Sequence, residues 1–243
     1  MDDNFSASPA RSNAQIWQEL RQTVAAAAQR SGRAPDAVTI VAVSKTVDTT
    51  RIASAVLGGW KELGENRVQE LVAKQARLSG LQAHWHMIGS LQRNKVKDLV
   101  GRVTMLHSLD RLSLADELQK HLAQRKLPPL PCFIEVNVGG EATKAGVTLD
   151  ELPVMLHSLC AYPLLRIVGL MTVAPPTPDV GELRAIFRNL KQAKDELHQL
   201  QLPWAPLEHL SMGMSSDYEI AIEEGADLIR LGTAIFGERQ PKM

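Results

Sequence analysis

Apolar and polar positions along this chain switch repeatedly between two periods. Short apolar runs, most of them β-branched, occur at 38–44, 60–64, 83–88, 103–108, 132–138, 166–171, 207–211 and 228–231. Between them, apolar residues recur at helical spacing over 50–58, 67–78, 94–100, 112–125, 149–160, 180–200 and 217–224. One more amphipathic segment, 13–30, comes before the first run. It carries Ile16, Leu20, Thr23 and Val24 near one face and is closed by Gly32. Eight strands separated by helices predict a parallel sheet, and eight such units are enough to close a (β/α)8 TIM barrel, here with an extra N-terminal helix. An open doubly wound sheet is the alternative, but no run is followed by GxGxxG. Residues 1–12 are small and polar and read as a flexible tail, leaving 13–243 as a single domain. The proline-rich stretches 128–131 and 175–178 read as loops within it, not as linkers.

Composition narrows the function classes. The 243 residues are 44% hydrophobic, enough for a full single-domain core. Twenty-seven basic residues balance 27 acidic ones, so no net field favours nucleic acid or an anionic membrane. Aromatics are only 4%, too few for a base-stacking platform. Cys132 and Cys160 lie far apart and read as buried thiols in a reducing compartment. No run approaches membrane-spanning length, and the acidic start lacks a signal peptide's apolar core. The expected location is cytoplasmic.

If the barrel reading holds, chemistry belongs just after the strands. Lys45 follows the first run there. A strand that delivers one amine to an apolar mouth can lower its pKa and make a Schiff base, although a lone lysine at a strand end is more often simply reaching for water. Ser211, Gly213 and Ser215 follow the seventh run, and Gly232 and Thr233 the eighth. These are the positions where this fold binds phosphate on backbone N–H groups, although each loop taken singly also reads as an ordinary turn and cap. Arg230 interrupts the buried run 228–231 and needs a partner. Two candidates stand open: a core acid such as Glu135, or the ring nitrogen of a pyridine cofactor. An amine for an aldehyde, a phosphate cup and an arginine for a ring nitrogen together describe pyridoxal 5′-phosphate.

Several motifs then resemble one family specifically. They are Val43-Ser44-Lys45, Gly64-Glu65-Asn66-Arg67, His86-Met87-Ile88-Gly89-Ser90-Leu91-Gln92-Arg93-Asn94-Lys95, Glu135-Val136-Asn137, Gly169-Leu170-Met171, Ser211-Met212-Gly213-Met214-Ser215 and Arg230-Leu231-Gly232-Thr233. They are similar to those of the pyridoxal phosphate homeostasis proteins, also called proline synthetase co-transcribed homologs. Gly139-Gly140-Glu141-Ala142 departs from the family's usual Ser-Gly-Glu-Glu, in a loop. The resemblance implies a fold like the N-terminal barrel of alanine racemase. It also implies a Schiff base on Lys45, phosphate contacts from Ser211, Gly232 and Thr233, and Arg230 beside the pyridine nitrogen, with Asn66, Met171 and Met212 lining the cofactor. The implied role is to store, carry or deliver pyridoxal phosphate without strong catalysis, with apo forms of pyridoxal phosphate enzymes as possible recipients.

The expectation of no catalysis has a second support. A two-base racemase needs an acid/base on the opposite face, which alanine racemase takes from a tyrosine of an additional domain. The chain stops after its eighth unit, and its tyrosines, Tyr162 and Tyr218, fall in or beside helices. The same lack of a second domain favours a monomer. A racemase of low activity is the alternative within the same cofactor class. A metal-dependent hydrolase is the rival of another class, since His84, His86, His107 and His209 all lie in strand runs. No carboxylate cluster joins them, so no metal is expected. A barrel that binds a phosphometabolite, with Lys45 only pairing the phosphate, is the remaining alternative. The basic run Arg93-Asn94-Lys95-Val96-Lys97 reads first as a solvated face and second as an anion or handover site.

Overall fold

The computed structural model describes residues 12–141 and 144–237; the expected tail before Ser12 lies outside the described residues. Helix α1 (Asn13–Arg30) begins at Ser12, whose hydroxyl accepts from Gln15 N–H while the Gln15 side chain reaches back. Eight strands follow: β1 (Thr39–Val43), β2 (Glu62–Glu65), β3 (His84–Met87), β4 (Met105–Leu109), β5 (Leu130–Glu135), β6 (Leu165–Met171), β7 (His209–Ser211) and β8 (Leu228–Leu231). All pair in parallel and in chain order. β8 returns to β1 with Val41 opposite Arg230, which closes the barrel. The helices between them are α2 (Thr49–Leu57), α3 (Val68–Arg77), α4 (Val96–Leu99), α5 (Leu112–Gln124), α6 (Leu152–Ser158), α7 (Val180–His198) and α8 (Tyr218–Glu223), with α9 (Thr233–Phe236) after β8.

The (β/α)8 barrel expected from the alternation is therefore present, and the doubly wound sheet is not. Segment 94–100 differs in detail. It is a 3₁₀ turn over Arg93–Lys95 followed by the single turn of α4. No helix among the described residues is long and apolar enough to cross a membrane. Cys132 is buried as expected, but Cys160 is exposed. It sits in the 3₁₀ turn Leu159–Ala161 that trails α6, where Leu159 takes the inward position.

Strand alternation divides the core in two. Outward residues such as Ala42, Leu63, Trp85, Leu106, Ile134, Ile167, Leu210, Ile229 and Leu231 pack against the helices in one apolar layer. The inward set is different. Val41, Phe133, Val168, Met171 and Leu228 form a small apolar cluster with Met105 against it. The rest of the buried interior is polar: His86, His107, Ser211 and Arg230.

Candidate functional site

The loops after β1, β7 and β8 gather at the C-terminal mouth. Lys45 follows β1 and is half-buried. Its position is fixed by neighbours that sequence reasoning missed. The Lys74 ammonium, on α3, is buried and donates to Ser44 O at 2.6 Å, Glu65 Oε1 at 2.6 Å and Glu70 Oε1 at 2.7 Å. Ser44 Oγ donates to the same Glu65 oxygen at 2.6 Å, and Thr46 N–H donates to Glu70 at 2.6 Å. Lys45 thus stands between two residues that are tied to one buried ion cluster. Thr46 pays for this with φ of 65°, a left-handed conformation uncommon outside glycine. Burial raises the Glu65 pKa, and the hydrogen bond from Lys74 opposes the rise. The only sequence signal for the cluster was the Glu70/Lys74 pair at helical spacing.

Arg230 lies on β8, inside the barrel and almost fully buried. One terminal nitrogen donates to Ser211 O at 2.8 Å and Ser211 Oγ at 2.7 Å; the other donates to Thr172 O at 2.7 Å. Burial lowers its pKa to about 10, against the charges of Glu135 and Asp217, and it stays cationic at neutral pH. Neither acid hydrogen-bonds to it. Glu135 Oε2 is buried with no partner, and burial, with Asp110 nearby, pushes its carboxyl up to about 7. Of the two partners left open by the sequence, the core acid does not bond to Arg230. Three of the five guanidinium N–H groups are used within the protein, which leaves two for a ligand.

The two small-residue loops do come together. Ser215 Oγ accepts from Ala234 N–H at 3.4 Å, joining the loop after β7 to the start of α9. Gly213 and Gly232 differ instructively. Gly213 has φ of +95°, and a Cβ there would meet the Ala221 Cβ at 2.7 Å, so the protein itself requires glycine. At Gly232 φ is ordinary, and a Cβ would sit 3.5 Å from its nearest neighbour, Val43 O. No packing within the chain demands glycine there. An open backbone cradle at a helix start is what an approaching phosphate needs. Ser211 precedes this loop, at the end of β7. Its hydroxyl faces inward to Arg230 and to His107 Nδ1 at 2.8 Å. Met212, one residue on, falls on the opposite face and packs in the helix–sheet layer, so its side chain does not line the interior. Met171, at the end of β6, does face the interior. Asn66 follows β2, packed so closely on Gly89 that a Cβ at Gly89 would lie 2.5 Å from its own.

A cavity of about 800 Å³ adjoins Asn66 and is lined also by Arg67, Ser90, Gln92 and Lys95. Lys97 does not line it. On the far side, about 610 Å³ opens among Lys144, Met214, Ser216 and Asp217. Neither cavity is lined by Lys45 or Arg230. Of the four strand histidines, His86 and His107 are buried, His209 is half-buried and His84 is exposed. His84 and His86 both bond Glu62, and no three metal-ligating side chains converge among the described residues.

With this geometry, residues 17–240 match the model of the alanine racemase N-terminal domain family. A curated relative from Aquifex aeolicus, named pyridoxal phosphate homeostasis protein, is 44% identical over 217 residues, 88% of this chain and 92% of its own. The chain belongs to the pyridoxal phosphate homeostasis protein family. A solved member, PipY of Synechococcus elongatus with pyridoxal phosphate bound, is 34% identical and superposes with a TM-score of 0.82 over 93% of this chain and all of its own. Alanine racemase from Corynebacterium glutamicum, at 15% identity and a TM-score of 0.63, shares the fold; this chain covers 61% of it. Family membership accounts for the barrel with its preceding helix.

Proposed function

We propose that this chain binds pyridoxal 5′-phosphate at the C-terminal mouth and stores, carries or delivers it within the cell, without strong catalysis. The observation that carries the reading is Arg230. It is a permanently charged fork, held by three hydrogen bonds on the strand beside that of Lys45, with two donors left over. Bound to an amine, the cofactor supplies an electron sink for carbanion chemistry. An arginine at the ring nitrogen donates a hydrogen bond without giving up its proton, so the ring stays a weak sink, suited to holding more than to turnover. Lys45 supplies the amine that takes the aldehyde. Gly232 and Thr233 take the phosphate at the start of α9, and Asn66 and Met171 line the ring. Ser211 acts through Arg230, because its hydroxyl is turned to the guanidinium.

The test is the near-visible spectrum before and after borohydride, with mass mapping. We expect a band that bleaches, a phosphopyridoxyl label on Lys45, and loss of both in Lys45→Ala. No band after adding the cofactor would return the phosphometabolite reading to first place. Solvent deuterium entering Cα of a free amino acid would instead support a racemase of low activity. For delivery, the cavity lined by Arg67 and Lys95 is the candidate handover face. Lys95→Ala should slow transfer to an apo enzyme and Lys97→Ala should not; equal rates in both would remove this face from the account.

A further inference from the structure

A continuous hydrogen-bonded chain runs through the barrel. Arg230 donates to Ser211 Oγ at 2.7 Å. Ser211 Oγ lies 2.8 Å from His107 Nδ1, and His107 Nε2 lies 2.9 Å from His86 Nδ1. His86 Nε2 lies 2.8 Å from Glu62 Oε2, and the other Glu62 oxygen is 2.7 Å from Nδ1 of the exposed His84. The chain thus links the buried floor of the ligand mouth, on β8 and β7, to the first residues of β3 and β2 at the opposite end.

The proton order in this chain has one consistent solution. Arg230 can only donate, and ionised Glu62 can only accept. His86 must therefore present Nε2–H to Glu62. With His86 neutral, its Nδ1 accepts from His107 Nε2–H. His107 Nδ1 then accepts the Ser211 hydroxyl proton, and Ser211 keeps a lone pair for Arg230. Each of the four links has one proton. The reverse order needs a doubly protonated His86 and, with the Ser211 hydroxyl then accepting from both Arg230 and His107, strands the Ser211 proton inside a fully buried site. Burial, with His86 and Arg230 beside it, holds the His107 imidazole well below its ordinary range, in agreement with a neutral ring.

We infer that His107 is a positioning residue: by accepting the Ser211 proton it fixes the lone pair that clamps Arg230, so the chain Arg230–Ser211–His107–His86–Glu62 sets the direction of the guanidinium presented to the ligand ring. The inference rests on the proposed binding reading for its ligand, but not for its proton order. The chain is a clamp and not a proton shuttle. Burial tends to raise the Glu62 pKa, but the bonds from His86 and His84 outweigh it and hold it below 4.5. Moving a proton there from Arg230, a far weaker acid, runs uphill.

Two measurements test this. Imidazole ¹⁵N shifts of the ligand-free protein should show His107 and His86 as neutral Nε2–H tautomers at pH 7. An Nδ1–H tautomer at His107, or a doubly protonated His86, overturns the order whether or not pyridoxal phosphate binds. On the loaded protein, His107→Phe should speed pyridoxal phosphate release about 10-fold and move the absorbance band, the scale of losing a buried orienting partner. His107→Gln, which can accept from Ser211 and donate to His86, should restore both. Ser211→Ala should match His107→Phe, and the double variant should add little. A folded His107→Phe with wild-type release and spectrum, or full additivity, overturns the clamp. If the wild-type protein binds no pyridoxal phosphate, the binding reading fails while the ¹⁵N measurement still decides the proton order.

Discussion

The two faces of the same eight strands are built from opposite materials. The outer face packs Leu, Ile, Ala and Trp against the helices, where stability scales with buried area and almost any partner of the right volume will do. The inner face keeps only a small apolar cluster and gives its remaining space to a cation, a hydroxyl, two imidazoles and carboxylates. Buried polar groups are costly unless every donor meets an acceptor. Error on the outer face therefore costs packing, whereas error on the inner face costs unpaired charge. The outer layer can support many barrels, and the inner one specifies what this barrel can hold.

The largest exception to that contrast is the ion cluster behind Lys45, where charge is buried on the helix side, between β2 and α3. Lys74→Met leaves Glu65 buried beside Glu70 without its cation and should cost about 3–5 kcal/mol in urea unfolding. Adding Glu65→Leu should recover most of it. An additive loss would mean that the cluster is less coupled than its geometry implies.

Glu135 offers a smaller effect with a defined sign. Its folded pKa, about 7, lies above the ordinary 4.5, so the fold accommodates the neutral acid. As pH rises from 4.5 through 7 the carboxyl ionises more readily in the unfolded chain, and stability falls by up to about 3 kcal/mol. Glu135→Gln should therefore stabilise the protein at pH 8 and be nearly neutral below pH 4.5. A benefit independent of pH would show that ionisation is not the cause.

The two glycines of the mouth give the finest comparison. Gly213→Ala meets a positive φ and a neighbour at 2.7 Å, and should cost about 1–3 kcal/mol in thermal unfolding. Gly232→Ala should change stability by less than about 0.5 kcal/mol, yet weaken cofactor retention. Equal retention in Gly232→Ala and the wild type would remove that loop from the binding site.

How much of this was legible beforehand follows the same division. Strand and helix order could be read from period alone, and helix α1 and strand β8 emerged with the expected bounds, because the outer layer writes itself as apolar spacing. Lys45 and Arg230 stood out as charges interrupting apolar runs. The partners of Arg230 did not, since Ser211 and Thr172 are ordinary residues that only the barrel's closure brings to it. Ser211 was read as a phosphate contact because it opens a small-residue loop. Strand alternation, which the loop's composition does not reveal, also turns the serine hydroxyl to Arg230 and His107 and turns Met212 out to the helix layer. His86 and His107 drew notice only as possible metal ligands; their link to each other depends on the register of two neighbouring strands, which no single segment encodes.

Helix α1 is tied to the far end of the chain. Arg30 bonds Glu219 and Glu223 on α8, Trp17 Nε1 donates to Ile235 O on α9, and the Trp17 ring fills the space that a side chain at Gly58 would need. During synthesis, then, helix α1 must wait for α8 and α9 before it can dock. Contacts this distant in sequence form slowly. Until β8 has paired with β1, the growing chain holds an open sheet edge and an unburied amphipathic helix, the features by which nascent chains engage chaperones or one another. The ligand mouth, whose loops straddle that closing seam, comes into existence only once β8 has paired with β1.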